Sequence, residues 1–262
     1  MYLTITCNPY TKEGDNIRGF ANVVFNDTHV LENVRIYQGR YKEYVELPKY
    51  PVVKKDNSGN PILKEDGKPV YNYKDVFHPN NPAANKAFVD AILAEYKRVL
   101  EEGKDNQRSG RYEINGSFSI DKVYCNEYNR EGIGGQLPTR GMATVHIGDF
   151  TLEKARIKEG QYGLFVDLPK YRTSKRDENG APVVGTDGKP EYEYRDCFHA
   201  ITQKAQAEMT DAILDAFNRM PVMQQENTAA VSNAPKVGAN NAPDDVFDPL
   251  LFSPDFGQGQ GR

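Results

Sequence analysis

Short runs of apolar side chains, separated by turn residues, recur along most of the chain. Within each run, β-branched and aromatic residues alternate with polar ones, which is typical of strands that bury one face. Asn, Asp and Gly between the first four runs indicate hairpins, and no crossover helix fits between them, so antiparallel pairing is expected. The predicted strands cover residues 3–7, 20–25, 30–36, 44–47 and 70–77, and then 118–125, 142–147, 150–157, 164–168 and 191–198.

A helical period follows each set of strands. Asn81 suits the N-cap of the first helix and Pro82 its first turn. Spacings of four, four and three between large apolar residues predict one stripe that covers a face of the sheet. The stripe consists of Phe88, Ile92, Tyr96 and Val99 in the first set, and of Met209, Ile213, Phe217 and Met220 in the second.

The two sets are copies of one unit. Residues 47–50 and 168–171 are both Leu-Pro-Lys-Tyr, and residues 90–93 and 211–214 are both Asp-Ala-Ile-Leu, with an offset of 121 in each case. The predicted class is therefore α+β: two tandem small domains at 1–100 and 118–220, each a twisted antiparallel sheet with a C-terminal helix. A polar linker is expected at 101–117, and a disordered tail with acidic and apolar residues at 221–262.

Bulk properties narrow the function classes. No apolar run approaches the roughly 18 residues of a membrane span, and the first residues lack the basic start and apolar core of a secretory signal. Three widely separated cysteines form neither a disulfide framework nor a zinc knuckle. These features predict a cytoplasmic protein without membrane contact, metal or cofactor.

The net charge is −4, from 33 basic and 37 acidic residues. Five acids and two bases lie in 221–262, so residues 1–220 carry 31 bases and 32 acids and are nearly neutral. Proteins that bind phosphate backbones through bulk charge are normally basic. Any nucleic-acid binding must then come from local clusters.

One such cluster follows the Leu-Pro motif of each copy. The second copy has four cations within seven residues, together with an aromatic ring, and two tyrosines on the returning strand that could stack on bases. The alternative is a solvated turn, neutralised by Asp177, Glu178, Glu191 and Glu193. The candidate nucleic-acid-binding residues are Lys170, Tyr171, Arg172, Lys175, Arg176, Tyr192 and Tyr194, with Lys49, Lys54 and Lys55 as a weaker first-copy counterpart.

Two further patterns invite a chemical interpretation. The pairs Asp75/His78 and Asp196/His199 resemble an acid–base or metal pair, but no nucleophile or further ligand is near them in sequence, so helix capping or a turn hydrogen bond is favoured and no catalysis is predicted. Arg35 and Arg156 lie within predicted strands. Each is expected either to pair with a carboxylate or to line a groove.

The tail contains one segment that mixes acids with large apolar residues. Such a stretch is typical of peptides that dock on a protein partner, and a neutral solubilising tail is the alternative. Its candidate docking residues are Asp244, Asp245, Phe247, Asp248, Leu250, Leu251 and Phe252.

At residues 163–170 (Gly-Leu-Phe-Val-Asp-Leu-Pro-Lys), with Arg195-Asp196 and His199 downstream, the sequence resembles the stage V sporulation protein G (SpoVG, septation regulator) family. Residues 140–145 and 211–214 match the same pattern in order, and the first copy matches at 18–21, 47–48 and 90–93. The resemblance implies a small α/β domain that pairs through its sheet as a dimer, found in bacterial regulators that bind DNA or RNA and influence sporulation and septation. It also ties the basic segment after Leu-Pro to nucleic-acid binding.

Two hypotheses follow. The first is a regulator that binds DNA or RNA, single-stranded DNA included, as an intramolecular pseudo-dimer of the fused copies, with further oligomerisation left open. The second is a non-enzymatic protein-interaction adaptor in cell division or DNA replication, with the tail recruiting a protein partner.

Overall fold

The computed structural model describes residues 1–103, 109–132, 135–178, 181–186 and 188–220. The predicted tail at 221–262, with the candidate docking peptide at 244–252, lies outside the described residues. Within the described part, each copy folds as a sheet followed by a helix, which confirms the predicted α+β class.

Seven strands and one helix form the first copy, and one further strand precedes the second. They are β1 (Tyr2–Pro9), β2 (Ile17–Phe25), β3 (His29–Gln38), β4 (Glu43–Glu46), β5 (Lys49–Val53), β6 (Tyr71–Asp75), β7 (Phe77–Pro79), α1 (Pro82–Glu102) and β8 (Gly110–Glu113). The second copy comprises β9 (Ile120–Arg130), β10 (Thr139–Ile147), β11 (Phe150–Gly160), β12 (Gly163–Asp167), β13 (Lys170–Ser174), β14 (Tyr192–Asp196), β15 (Phe198–Ala200) and α2 (Gln203–Asn218).

The predicted hairpins form two antiparallel sheets. One sheet runs β15-β3-β2-β1-β8, with β4 also pairing with β3, and the other runs β12-β11-β10-β9, with β7 also pairing with β11. Leu3, Val23 and Leu31 of the first sheet are fully buried on the face that α1 covers. Their strand neighbours point to the opposite face, because side chains alternate along a strand.

Each sheet receives one short strand from the other copy. Phe77 of β7 lies opposite Leu152 of β11, and Phe198 of β15 lies opposite Leu31 of β3. The predicted fifth strands at 70–77 and 191–198 are therefore each divided in two, and only the second piece crosses. The amide of Glu153 donates to the carbonyl of Val76, and the amide of Glu32 to that of Cys197, both at 2.8 Å.

A two-stranded antiparallel ribbon follows the Leu-Pro motif of each copy. β5 pairs with β6 and β13 with β14. Between the paired strands, isolated bridges join Lys55 to Pro61 and Leu63 to Pro69 in the first copy, and Arg176 to Pro182 and Val184 to Pro190 in the second. Gly59 and Gly67 have φ of +84° and +78°, a left-handed backbone that glycine adopts without steric cost. Each ribbon begins directly after the Leu-Pro motif, so Lys49, Lys170 and Arg172 lie on strands. The remaining cations of the basic segments follow the strand ends: Lys54, Lys55, Lys175 and Arg176.

The predicted N-cap of α1 and most of the two predicted helix stripes are confirmed. The Asn81 side chain accepts from the Ala84 amide at 2.8 Å at the start of α1, and Thr202 caps α2 in the same way at 3.2 Å. All four stripe residues of α1 are buried, as are Met209 and Ile213 of α2. Met220 lies beyond the end of α2.

The segment 101–117 contains more than a linker, because β8 within it pairs with the outer edge of β1. Glu95 of α1, whose side chain is fully buried, accepts from the Gly110 amide and the Tyr112 hydroxyl, both at 3.0 Å. Ala216 stands at the position of Glu95 in α2. Among the described residues, no strand pairs with the corresponding outer edge of β9.

Of the described helices, none has both the length and the apolarity needed to cross a membrane.

Candidate nucleic-acid interface

The two arms, defined as the β5/β6 ribbon and the β13/β14 ribbon, each pack on the sheet of the other copy. From the second arm, the Tyr171 hydroxyl donates to Glu32 Oε2 at 2.8 Å. From the first arm, the buried Tyr50 ring lies 5.4 Å from the Lys154 ammonium. Burial raises the pKa of the Tyr171 hydroxyl, and the adjacent Glu32 raises it further. Tyr171 is thus a packing residue between the copies and is not available for stacking on a base.

Several predicted cations are already paired with acids. Lys170 contacts Asp167 and lies 3.1 Å from Asp196, and Lys175 lies 2.8 Å from Glu191. The acid that sequence analysis gave as a neutralising partner, Glu191, therefore contacts the arm's cation directly. The segment's charge is partly compensated within the ribbon itself.

The outward face of the second arm combines a cation with two rings. The Arg172 guanidinium lies 3.9 Å from the centroid of the Tyr192 ring, at the distance of a cation–π contact. Arg172 is opposite Tyr194 in the ribbon, so these side chains share one face, with Tyr192 two residues away on the same face. Tyr192 is 40% exposed and Tyr194 48%.

The first arm presents a weaker version of this face. Pro51 stands where the second arm has Arg172, and Tyr73, 50% exposed, where it has Tyr194. Lys49 pairs with Glu46 at 3.5 Å, while Lys54 and Lys55 are exposed near the start of the arm's outer half. Arg176, the counterpart of Lys55, is also exposed and lies beside Pro182 in an isolated bridge.

A cleft of about 680 Å³ separates the first arm from the base of the second, over the outer face of β10, β11 and β12. Three of its cations alternate along β11: Lys154, Arg156 and Lys158. Of these three cations, the sequence analysis singled out Arg156 alone. The spacing of two between the three cations was a signal that they share one face of the predicted strand. Arg156 thus lines a groove, which is one of the two alternatives that the sequence predicts for it.

The Asp75/His78 pair does not cap the helix, because Asn81 does so. His78 lies on β7 instead, and its Nε2 is 3.8 Å from Glu153 Oε1 of the other copy. The Glu153 contact raises the pKa of His78, and the His78 contact lowers the pKa of Glu153. Helix capping, one of the two roles favoured for this pair, is therefore wrong, whereas His78 Nδ1 does donate a local hydrogen bond to the Pro79 carbonyl at 3.2 Å.

In the second copy, Thr202 is the cap and His199 has a different environment. His199 Nδ1 is buried without a hydrogen-bond partner among the described residues. Within the same part of the chain, no group of three or more His, Cys, Asp or Glu side chains is arranged to hold a metal ion.

Comparison with known proteins agrees with this architecture. The sequence model of the SpoVG family matches residues 2–98 and again residues 119–219. The chain belongs to the SpoVG family. The predicted resemblance, and its two tandem copies, are therefore confirmed.

A curated SpoVG relative matches part of the chain. The septation protein SpoVG of Heliobacterium modesticaldum is 35% identical over 68 residues, which is 26% of this chain. The matched region is 58% of the relative's own length.

Proposed function

We propose that this SpoVG-family protein binds nucleic acid and acts as a cytoplasmic, non-enzymatic regulator. The binding surface is the outward face of the second arm, formed by Arg172, Tyr192 and Tyr194. The two fused copies act as an intramolecular pseudo-dimer, since each supplies a strand to the sheet of the other. One observation carries the proposal: an arginine stacked on one exposed tyrosine and directly across a ribbon from another.

This arrangement suits an unpaired strand better than a duplex. Exposed tyrosine rings stack on bases, which a duplex keeps inside its helix, and each stacked base contributes about 1–3 kcal/mol. A near-neutral domain has little charge with which to hold a rigid duplex. We therefore propose a preference for single-stranded DNA or RNA.

Fluorescence anisotropy of the full chain tests the proposal, with labelled single-stranded DNA, duplex DNA and RNA across a salt series. Affinity should weaken with salt and fall at least fivefold in Tyr194→Ala, because one stacked base is lost. Tyr73→Ala in the first arm is the matched control and should have a smaller effect. Absence of binding at low salt would remove the proposal.

The paired lysines favour a second candidate, a protein-interaction adaptor in division or replication. Lys49, Lys170 and Lys175 each have a carboxylate partner, which leaves less charge for phosphates. The acidic and apolar residues at 244–252 would then recruit the partner. Affinity capture by the full chain should lose that partner when 244–256 is deleted, and an unchanged set of partners would remove this candidate.

A further inference from the structure

We infer that the cleft between the two arms is a binding site for a nucleoside phosphate. The inference rests on the proposed function, since an unpaired nucleotide of a strand held on the second arm would enter here, next to Tyr194. A free nucleotide carries the same chemistry. The volume, about 680 Å³, falls within the range of small-ligand sites, roughly 300–1,000 Å³.

The charge of the cleft favours an anion. Five cationic side chains and two carboxylates line it, an excess of three positive charges in a half-molecule that is close to neutral overall. The partly enclosed walls of the cleft strengthen the attraction between these cations and a phosphate. The cations are Arg130, Lys154, Arg156, Lys158 and Lys170, and the acids are Glu131 and Asp167.

Ion pairs organise the floor of the cleft. Asp167 Oδ2 lies 2.7 Å from Lys158 Nζ, and its other oxygen contacts Lys170. These two contacts lower the pKa of Asp167 against the opposing effect of its burial, so the carboxylate stays charged and holds both ammonium groups in place. Preorganised donors bind a phosphate without first having to be ordered.

The walls offer surfaces for a base. Tyr128 and Tyr194 contribute rings, and Met142, Leu137 and Leu168 contribute apolar contacts. Tyr194 belongs both to the outward face of the second arm and to the cleft, so the two surfaces are continuous. A planar base on these walls and a phosphate on the cations match the two halves of a nucleotide.

The site is specific to one half of the molecule. Asn33 and Tyr37 stand in the first copy where the second has Lys154 and Lys158. Lys154 and Asn33 both have left-handed backbone, with φ of 63° and 58°. Asn adopts this conformation more readily than Lys, so Lys154→Asn removes a cation while the backbone is retained.

The test titrates the full chain with AMP, UMP and inorganic phosphate by calorimetry and by amide chemical shifts. Both nucleotides should bind saturably and more tightly than phosphate, with shifts on β11 and β13. Lys154→Asn should weaken nucleotide binding about tenfold, the effect of losing one charged hydrogen bond. Asn33→Lys, the reciprocal change in the first copy, should leave it unaltered.

Three results would overturn the inference. The first is the absence of saturable nucleotide binding up to about 5 mM, a concentration that corresponds to a binding free energy of only a few kcal/mol. The others are equal affinity for phosphate and AMP, and an unchanged nucleotide affinity in a folded Lys154→Asn variant. Strand binding is measured in parallel by anisotropy. Strands that bind while nucleotides do not would leave the proposed function standing without the cleft. Nucleotides that bind while strands do not would assign the cleft to a free nucleotide and remove the proposed function.

Discussion

Phe77 and Phe198, which are equivalent residues of the two copies, stack on each other with ring centroids 4.6 Å apart and an interplanar angle of 13°. Both are fully buried, and each lies on the strand that its copy donates to the other sheet. The pseudo-symmetry extends outward, because Phe77 also stacks on Phe150 at 5.2 Å and Phe198 on His29 at 5.4 Å. The core of the protein is thus shared between its copies.

We expect Phe77→Ala and Phe198→Ala each to lower the free energy of unfolding by about 3–5 kcal/mol, through lost burial and the cavity left behind. The double variant should deviate from additivity by about 1 kcal/mol, because the two rings contact each other. Urea denaturation measures both quantities. Tyr162→Ala is the control, since that ring is 97% exposed. Two separate unfolding transitions in the unaltered chain would contradict a shared core.

A second prediction concerns Glu95, which fastens β8 to the first sheet. Its carboxylate accepts from Gly110 and Tyr112 and pairs with Arg98 at 2.7 Å. Burial and the Glu95 contact raise the pKa of Tyr112 to about 12. A Cβ on Gly110 would lie 2.1 Å from Glu95 Oε2, so only glycine fits there.

Glu95→Ala should lower the free energy of unfolding by about 3 kcal/mol, since it leaves the partners of a buried charge unsatisfied. Amide hydrogen exchange at 110–113 should become faster than in the rest of the sheet. Ala216→Gly at the equivalent site of α2 is the control, with about 1 kcal/mol from helix propensity and no effect on β8. Unchanged exchange at 110–113 would mean that β8 is held by its pairing with β1 alone.

How far the sequence predicts this structure can be judged from particular residues. Phe88 and Ile92 predict the helix face because a single period of 3.6 residues decides which side is buried. The division at Val76 is not predictable, because β6 and β7 form one continuous alternating run and local pattern does not specify which sheet a strand joins. The transfer of β7 to the other sheet depends on the second copy, which supplies β11 as its pairing partner. The Glu191 contact with Lys175 agrees with the alternative in which nearby acids neutralise the basic segment.

The cleft was missed for a related reason. Tyr50 and Lys154 are far apart in sequence and come from different copies, so only the packing of the arm on the other sheet brings them together. Its one local signal, the alternation of Lys154, Arg156 and Lys158, has the same form as a solvated strand face. Charged side chains at such positions indicate a binding cleft only when a second structural element packs over them.

A third prediction concerns pH and the contact between His78 and Glu153. A histidine whose pKa is raised above its ordinary value of 6.5 stabilises the fold fully below that value and loses this effect as pH rises through the folded pKa. Glu153, whose pKa is lowered from 4.5, stabilises above that value and loses its effect as pH falls. The pair therefore contributes most between about pH 4.5 and 6.5.

The measurement compares the unaltered chain with His78→Gln by urea denaturation from pH 4.5 to 8.5. The stability difference should shrink as pH rises past 6.5. Asp75 also raises the pKa of His78, so its charge is part of this difference, whereas groups remote from His78 cancel in the comparison. NMR titration of the His78 ring should give a pKa above 6.5. A stability difference that is constant over this range would mean that His78 has the same pKa in the folded and unfolded chains.

A fourth prediction concerns the compensated charge of the second arm. Lys175 Nζ lies 2.8 Å from Glu191 Oε2, and this contact raises the pKa of Lys175. Glu191→Gln should release that ammonium for a phosphate, so single-strand affinity should rise about threefold at low salt. The slope of log K against log salt should steepen by up to about 0.7, the value for one added phosphate contact on a single strand.

Glu208→Gln is the matched control, because Glu208 is also an exposed carboxylate paired with a lysine, Lys204, but on α2 away from the arms. If both variants bind alike, the arm's lysine takes no part in binding and the strand is held by Arg172 and the tyrosines without it.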